Sequence, residues 1–183
     1  MKLKATFILL AALAPSISFA TNIKPGDSLP GVTVTNKGEL VLKDKSISYQ
    51  SWRSTKLTGK MRIVFAIAGR SAAKELNAPL VAAISAAKFP ENEYQTTTII
   101  NQNDAMWGTG SFVKSATEDS KREYPWSSIV LDSNGIVQKT WDLRKESSAV
   151  FVVNKDGKVV FAKEGKLTPS EIKEVIGLVS KNL

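Results

Sequence analysis

The sequence predicts an α/β domain with a central mixed β-sheet flanked by helices. Residues 63–68 form a continuous apolar run of strand length, and strong helix formers begin four residues later, at Ala72. A buried strand that leads directly into a helix is half of a βα unit, which is typical of parallel pairing. The pattern of residues 149–162 predicts an antiparallel hairpin, and an amphipathic helix is predicted after it. Parallel and antiparallel pairs together make the predicted sheet mixed.

The first twenty residues have the pattern of a cleavable signal peptide. Lys2 and Lys4 precede a short apolar run at 5–14, and Ser18-Phe19-Ala20 places small residues where signal peptidase cleaves. The run is too short to cross a bilayer, so we expect no membrane anchor. We therefore expect cleavage after Ala20, export, and one domain over residues 21–183.

The composition excludes several kinds of chemistry. Cysteine and histidine are both absent from the 183 residues. Disulfides, thiolate nucleophiles, Ser-His pairs and ordinary zinc sites are therefore impossible, and we expect no metal and no cofactor. The net charge is +8, but the lysines are scattered along the chain. Scattered charge in an exported protein argues against nucleic acid as a partner.

The first half of the chain predicts an N-terminal β-hairpin and then the central βα unit. Val32 and Val34 alternate with threonines, Asn36-Lys37-Gly38 has turn composition, and residues 40–42 return the chain. Residues 46–59 are polar, and we expect a connecting loop or a short helix there. In the helix after the buried strand, we expect Ser71 to be the N-cap and Pro79 to produce a kink.

The second half predicts further strands and helices in alternation. Trp141 and Leu143 are interpreted as anchors of a connection, and Thr168-Pro169-Ser170-Glu171 as a capping box that opens the last helix. The predicted elements are a strand at 94–101, a mostly polar surface helix at 112–123, a short strand at 127–131, a turn at 132–135, and hairpin strands at 149–153 and 158–162.

Motifs along the whole chain resemble those of the thioredoxin-like fold. They are the opening Pro25-Gly26-Asp27-Ser28-Leu29-Pro30, the Gly59-Lys60 before the apolar strand, the proline eight residues after Ser71, and the Asn154-Lys155-Asp156-Gly157 turn of the final hairpin. The resemblance implies a single thioredoxin-like domain over residues 21–183.

A narrower resemblance is to the YtfJ family, a group of small periplasmic proteins of thioredoxin-like fold. Four segments carry it: Ile67-Ala68-Gly69-Arg70-Ser71, Tyr94-Gln95-Thr96-Thr97-Thr98-Ile99, Tyr124-Pro125-Trp126-Ser127 and Glu146-Ser147-Ser148-Ala149-Val150. This resemblance implies that the exported protein is periplasmic.

The redox site of the fold's active members is missing. Those members carry C-x-x-C at the start of the first helix, and counting back from Pro79 places Ser71 and Lys74 at the two cysteine positions. Ser148 falls where the same members have a cis-proline, and we expect a trans bond there because non-proline cis bonds are costly. Without a thiolate, thiol exchange has no first step. The protein is thus not expected to be a thiol-disulfide oxidoreductase or a cysteine peroxidase.

Three features near this position have two interpretations each. Ser71-Ala72-Ala73-Lys74 is an S-x-x-K pattern in which a lysine could deprotonate a serine, or it is simply a capping serine with a solvated lysine. Arg70 and the helix N–H groups could bind a carboxylate or phosphate, or Arg70 is an exposed loop residue. Trp107 and Phe112 could line a groove or attach their loop to the core.

Two functional hypotheses follow. The first is a protein that binds a periplasmic protein or a small ligand through a surface at the former dithiol position, formed by Gly69, Arg70, Ser71, Lys74 and Ser148. The alternative is a weak hydrolase or transferase that uses Ser71 and Lys74. We favour the first, because the companion motifs of S-x-x-K acyl-transfer enzymes are absent.

Overall fold

The computed structural model describes residues 22–183, so the predicted signal peptide at 1–20 lies outside the described residues. Within them, the strands are β1 Thr33–Lys43, β2 Ser46–Arg53, β3 Met61–Ala68, β4 Tyr94–Asn101, β5 Ser128–Asp132, β6 Ser148–Val153 and β7 Val159–Glu164. The helices are α1 Ser71–Glu75, α2 Ala78–Ala87, α3 Gly110–Glu123, α4 Ile136–Thr140 and α5 Pro169–Lys181. In this part of the chain, no helix is long and apolar enough to cross a bilayer.

All seven of these strands join one mixed sheet in the order β2-β1-β5-β4-β3-β6-β7. β3 pairs in parallel with β4, and β4 pairs in parallel with β5. The remaining pairs are antiparallel. The predicted α/β class with a mixed sheet is confirmed. The parallel strands β3, β4 and β5 end at the same edge of the sheet, and the segments that leave them meet there.

β3 is buried on both faces, as its unbroken apolar run predicts. Ile63 and Phe65 pack into a cluster with Leu80 of α2 and Val175 of α5. The intervening side chains, including Val64, pack on the other face with the two buried tryptophans, Trp52 and Trp141. A strand covered on both faces has no polar face, which explains why periodicity is missing from its sequence.

Trp141 anchors the connection between α4 and β6, as predicted. Its indole Nε1 donates to the carbonyl of Pro30 at 2.9 Å, and its ring meets Phe151 edge-on at 5.7 Å between centroids. The predicted capping box of α5 is also confirmed: Thr168 Oγ1 accepts from the Glu171 amide, and Glu171 Oε2 accepts from the Thr168 amide at 2.7 Å.

An N-terminal hairpin exists, but it is formed by β1 and β2, and both its turn and its second strand were wrongly predicted. β1 continues through Asn36-Lys37-Gly38 as a bulge, and the chain turns at Asp44-Lys45 instead. Lys37 and Gly38 have φ values of 68° and 83°. A bulge needs the same left-handed residues as a tight turn, so composition alone does not separate the two. The first part of the segment predicted as a connecting loop or short helix is β2, an edge strand with mostly exposed side chains, and a short 3₁₀ helix follows at Ser54–Leu57.

The predicted helix after β3 is in fact two helices. α1 ends at Glu75, Leu76 and Asn77 form a turn, and α2 begins at Ala78. Pro79 lies in the first turn of α2, where a missing N–H leaves no hydrogen bond unmade. The predicted kink is therefore a complete break in the helix. The short helix α4 was not predicted.

Gly38 and Gly59 allow a test of close packing in the bulge. Both have a left-handed φ, at 83° and 85°, but a Cβ on Gly38 would lie 2.2 Å from the Gln50 carbonyl oxygen, whereas a Cβ on Gly59 would meet nothing within 4 Å. We expect Gly59→Ala to lower the free energy of unfolding by about 1–2 kcal/mol and Gly38→Ala to lower it by ~2 kcal/mol more. Urea denaturation measures the free energy of unfolding of both variants. Equal losses would show that the approach of the added Cβ to the Gln50 carbonyl oxygen has no cost.

Glu39 of β1 is a half-buried carboxylate with three donors. Lys56 Nζ and Ser128 Oγ each donate to it at 2.7 Å, and Gln50 Nε2 donates at 3.2 Å. Burial by itself would raise the pKa of Glu39, but the hydrogen bonds from Lys56 and Ser128 hold that pKa below its ordinary value. The ionised form therefore stabilises the fold.

We expect Glu39→Gln to lower the free energy of unfolding at neutral pH by about 1–3 kcal/mol. A lowered folded-state pKa contributes stability that is complete above the unfolded pKa and is lost as the pH falls through the folded one. The difference between wild type and variant should therefore shrink below about pH 4. Urea denaturation at a series of pH values from 7 to 3 measures this difference in the free energy of unfolding. Glu91→Gln, which removes an exposed carboxylate, is the control. A constant difference would contradict this account.

Candidate functional site

The segment of the predicted site that begins at Gly69 lies at the edge of the sheet where β3 ends. Gly69 follows β3 directly, and its amide donates to the Asn101 carbonyl at 2.9 Å. A Cβ at Gly69 would lie 2.8 Å from that oxygen and 3.3 Å from the Ala105 Cβ. Gly69 is therefore required for close packing between the ends of β3 and β4. It is buried and is not part of an exposed binding surface.

Arg70 is held by two carboxylates, so the expectation of an exposed loop arginine is wrong. Its Nη2 lies 3.3 Å from Asp104 Oδ1 and 2.9 Å from Glu146 Oε1, and its Nε donates to the Asp104 carbonyl at 3.0 Å. Asp104 Oδ2 also accepts from the Glu146 amide at 2.6 Å. The guanidinium thus ties together three segments of the chain. Because it is already paired, it offers little to an incoming carboxylate or phosphate.

Ser71 and Lys74 do not form a catalytic pair. The N-cap of α1 is Arg70, without a side-chain capping bond, so the prediction that Ser71 is the N-cap is wrong. Ser71 is the first helical residue, and its side chain is exposed, as is that of Lys74. Within residues 22–183, the Ser71 hydroxyl and the Lys74 ammonium make no hydrogen bond to each other. A lysine that does not contact the serine does not take its proton.

Ser148 lies beneath this edge and not on it. It is 2 % exposed, and its Oγ accepts a hydrogen bond from Asn77 Nδ2 at 2.7 Å. Its peptide bond is trans, as expected. Asn77 is equally buried, and it was not among the predicted site residues. The sequence signal that could have identified Asn77 was its place two residues before Pro79, in the turn between α1 and α2.

Three large apolar side chains are exposed beside this edge. Trp107 is 100 % exposed, Phe112 is 74 % exposed and Met106 is 62 % exposed. The interpretation that Trp107 and Phe112 attach their loop to the core is therefore wrong. The loop itself is fixed, because Ala105 and Val113 approach Gly69.

We use the name mouth surface for Ser71, Lys74, Met106, Trp107 and Phe112. Within the described residues these side chains are exposed, and the segments that carry them are held together by Gly69 and Arg70. The surface combines a hydroxyl and an ammonium with three apolar groups. Such a set is suited to recognition through apolar contact and hydrogen bonding. Of the five predicted site residues, Ser71 and Lys74 belong to the mouth surface, whereas Gly69, Arg70 and Ser148 support it from below.

Comparison with known proteins agrees with the fold and extends over the whole described chain. Residues 23–182 match the sequence model of a family described as "Bacterial protein of unknown function (YtfJ_HI0045)". The chain belongs to the YtfJ family. It is 46 % identical over 183 residues to the uncharacterized protein YtfJ of Escherichia coli K12, with both chains covered completely. It is 44 % identical over 180 residues to an uncharacterized protein of Haemophilus influenzae, covering 98 % of each.

Solved structures similar to this YtfJ family member confirm the thioredoxin-like fold. A putative protein disulfide isomerase from Bacteroides thetaiotaomicron aligns with a TM-score of 0.61 at 14 % identity, covering 91 % of this chain and 94 % of its own. A putative thiol:disulfide interchange protein DsbE from Chlorobium tepidum gives a TM-score of 0.59 at 14 % identity, covering 88 % and 99 %. At this identity the likeness establishes the fold alone.

The bond between Asn77 and Ser148 is expected to stabilise the base of the mouth surface. We expect Ser148→Ala to lower the free energy of unfolding by about 1–3 kcal/mol, because it removes the nearer of the two acceptors of the buried Asn77 side-chain amide. Ser147→Ala is the matched control, since the Ser147 hydroxyl makes no hydrogen bond within the described chain, and it should change stability by less than about 0.5 kcal/mol. Equal losses in urea denaturation would show that the bond contributes nothing.

Proposed function

We propose that this protein is exported to the periplasm and acts by binding a partner protein through the mouth surface. The signal-peptide pattern of residues 1–20 supports export. The mouth surface occupies the position at which redox-active thioredoxin-like proteins meet their substrates, but here it carries no sulfur nucleophile.

The observation that carries this proposal is the exposure of Met106, Trp107 and Phe112, which lie in the loop before α3 and in the first turn of that helix. Isolated exposed apolar residues are normal, but adjacent large ones are typical of interaction sites. Tryptophan and methionine are enriched at protein interfaces, and buried tryptophans carry much of the binding free energy there. A protein partner suits protruding side chains better than a small ligand, which needs a concave site.

Binding does not require this protein to have the chemistry of its structural neighbours. The Chlorobium tepidum protein is named for thiol:disulfide interchange, which depends on a thiolate. The present chain has no cysteine at any position. We therefore expect no reduction of insulin disulfides by the purified protein.

The alternative of a Ser71–Lys74 hydrolase is not favoured. Both side chains point to solvent, and within the described residues neither contacts a group that would orient it. A serine nucleophile needs a base in hydrogen-bond contact and donors for the developing oxyanion. Labelling of Ser71 by a fluorophosphonate probe would revive this alternative.

Site-specific photo-crosslinking tests the proposal. With a photoreactive phenylalanine analogue at position 107, we expect covalent capture of a discrete partner in the periplasmic fraction, where the mature chain begins at Thr21. The matched control is position 126, because Trp126 is 48 % exposed but lies near Gln95, at the opposite edge of the sheet from the mouth surface. Phe112→Ala should weaken the capture at position 107. Equal capture at both positions, or none at position 107, would contradict the proposal.

A further inference from the structure

The sulfur atoms of residues 22–183 belong to two methionines with opposite surroundings. Met61 opens β3 and is 0 % exposed, in the apolar cluster that β3 forms with α2 and α5. Met106 belongs to the mouth surface and is 62 % exposed. The chain has no cysteine, so no thiol competes with these thioethers for an oxidant. An oxidant in solution therefore reaches Met106, whereas the packed core excludes it from Met61.

The backbone at Met106 is held independently of its side chain. Its carbonyl accepts from the Thr109 amide at 3.0 Å and from Thr109 Oγ1 at 2.7 Å. The amide of Ala105, the preceding residue, donates to the Gln102 carbonyl at 3.2 Å. The Met106 side chain, in contrast, takes part in none of the apolar clusters of residues 22–183. A chemical change at its sulfur therefore alters the mouth surface and leaves the fold of the loop in place.

We propose that Met106 is a modification site at which a peroxide converts the thioether to a sulfoxide, and that this change weakens partner binding at the mouth surface. With hydrogen peroxide, a sulfur lone pair attacks one oxygen, the S–O bond forms and the O–O bond breaks. The hydroxide that leaves takes the proton of the transferred oxygen and becomes water. Sulfur thus loses two electrons and the peroxide gains them. The modification itself follows from exposure, whereas its effect on binding rests on the proposed function.

The sulfoxide changes one of the three apolar groups of the mouth surface into a polar one. Methionine is flexible and polarizable, so it adapts to an apolar partner. The sulfoxide oxygen is a hydrogen-bond acceptor that water satisfies while the surface is free. Burying that oxygen beside Trp107 against an apolar partner would remove its water and supply no donor, which costs free energy. Oxidation of Met106 therefore opposes the association that the exposed thioether favours.

Peptide mass analysis after brief treatment of the folded protein with hydrogen peroxide tests the modification site. We expect Met106 to gain one oxygen faster than Met61 by a factor of about ten or more. The Tm should change by less than about 1 °C, because the side chain is outside the core. The two methionine sulfoxide reductases, with dithiothreitol as the electron donor, should restore the thioether. Equal rates at Met61 and Met106, or a gain of oxygen at Trp107 instead, would overturn the proposal.

Photo-crosslinking from position 107 tests the effect on binding. Oxidation should lower the capture by about threefold or more, and Met106→Gln, which has a neutral polar side chain like the sulfoxide, should lower it without peroxide. Met106→Leu, which has no sulfur, is the matched control and should keep its capture after peroxide treatment. Undiminished capture by the oxidised protein would overturn the proposal. Failure of the untreated protein to capture any partner would contradict the proposed function instead, and the mass analysis would still decide whether Met106 is the modification site.

Discussion

The placement of β3 between β4 and β6, with both faces covered, is the constraint on which the rest of the structure depends. Its position in the sheet is fixed by hydrogen bonds along both edges and by two apolar clusters. The point at which the chain leaves the sheet is therefore also fixed. Gly69 then lets the backbone pass within hydrogen-bond distance of Asn101, which brings the ends of β3 and β4 together.

From this point, a network of ion pairs and hydrogen bonds holds the segments that leave the sheet. Arg70 joins Asp104 and Glu146, and Asp104 is oriented by the Asn101 side chain, whose Oδ1 accepts from the Asp104 amide at 3.2 Å. Beneath it, the Asn77–Ser148 bond joins the turn between α1 and α2 to the start of β6. The segments around the mouth surface are thus held by charge and hydrogen bonding. The backbone segments that carry the exposed side chains of the mouth surface are therefore held in place.

The sequence predicted the elements whose apolar pattern is strong and local. β4 occupies the predicted residues, and α5 begins at the predicted capping box. β3 was recognised because an apolar run of strand length that ends at a glycine is typical of a strand covered on both faces. β2 was missed, since an edge strand with exposed side chains has almost no hydrophobic period. The bulge at Lys37 and Gly38 was mistaken for a turn, because both use left-handed residues.

The sequence by itself determined the class of fold, the family and the absence of thiol chemistry, because apolar runs, local motifs and residue counts are properties of short stretches or of composition. Only the tertiary structure decided what the site residues do. Arg70 meets Asp104 and Glu146 across separations of 34 and 76 residues, and Asn77 meets Ser148 across 71. Such pairings depend on which strand ends the sheet brings together. The exposure of Trp107 has the same origin, since a side chain is buried or exposed only relative to what packs beside it.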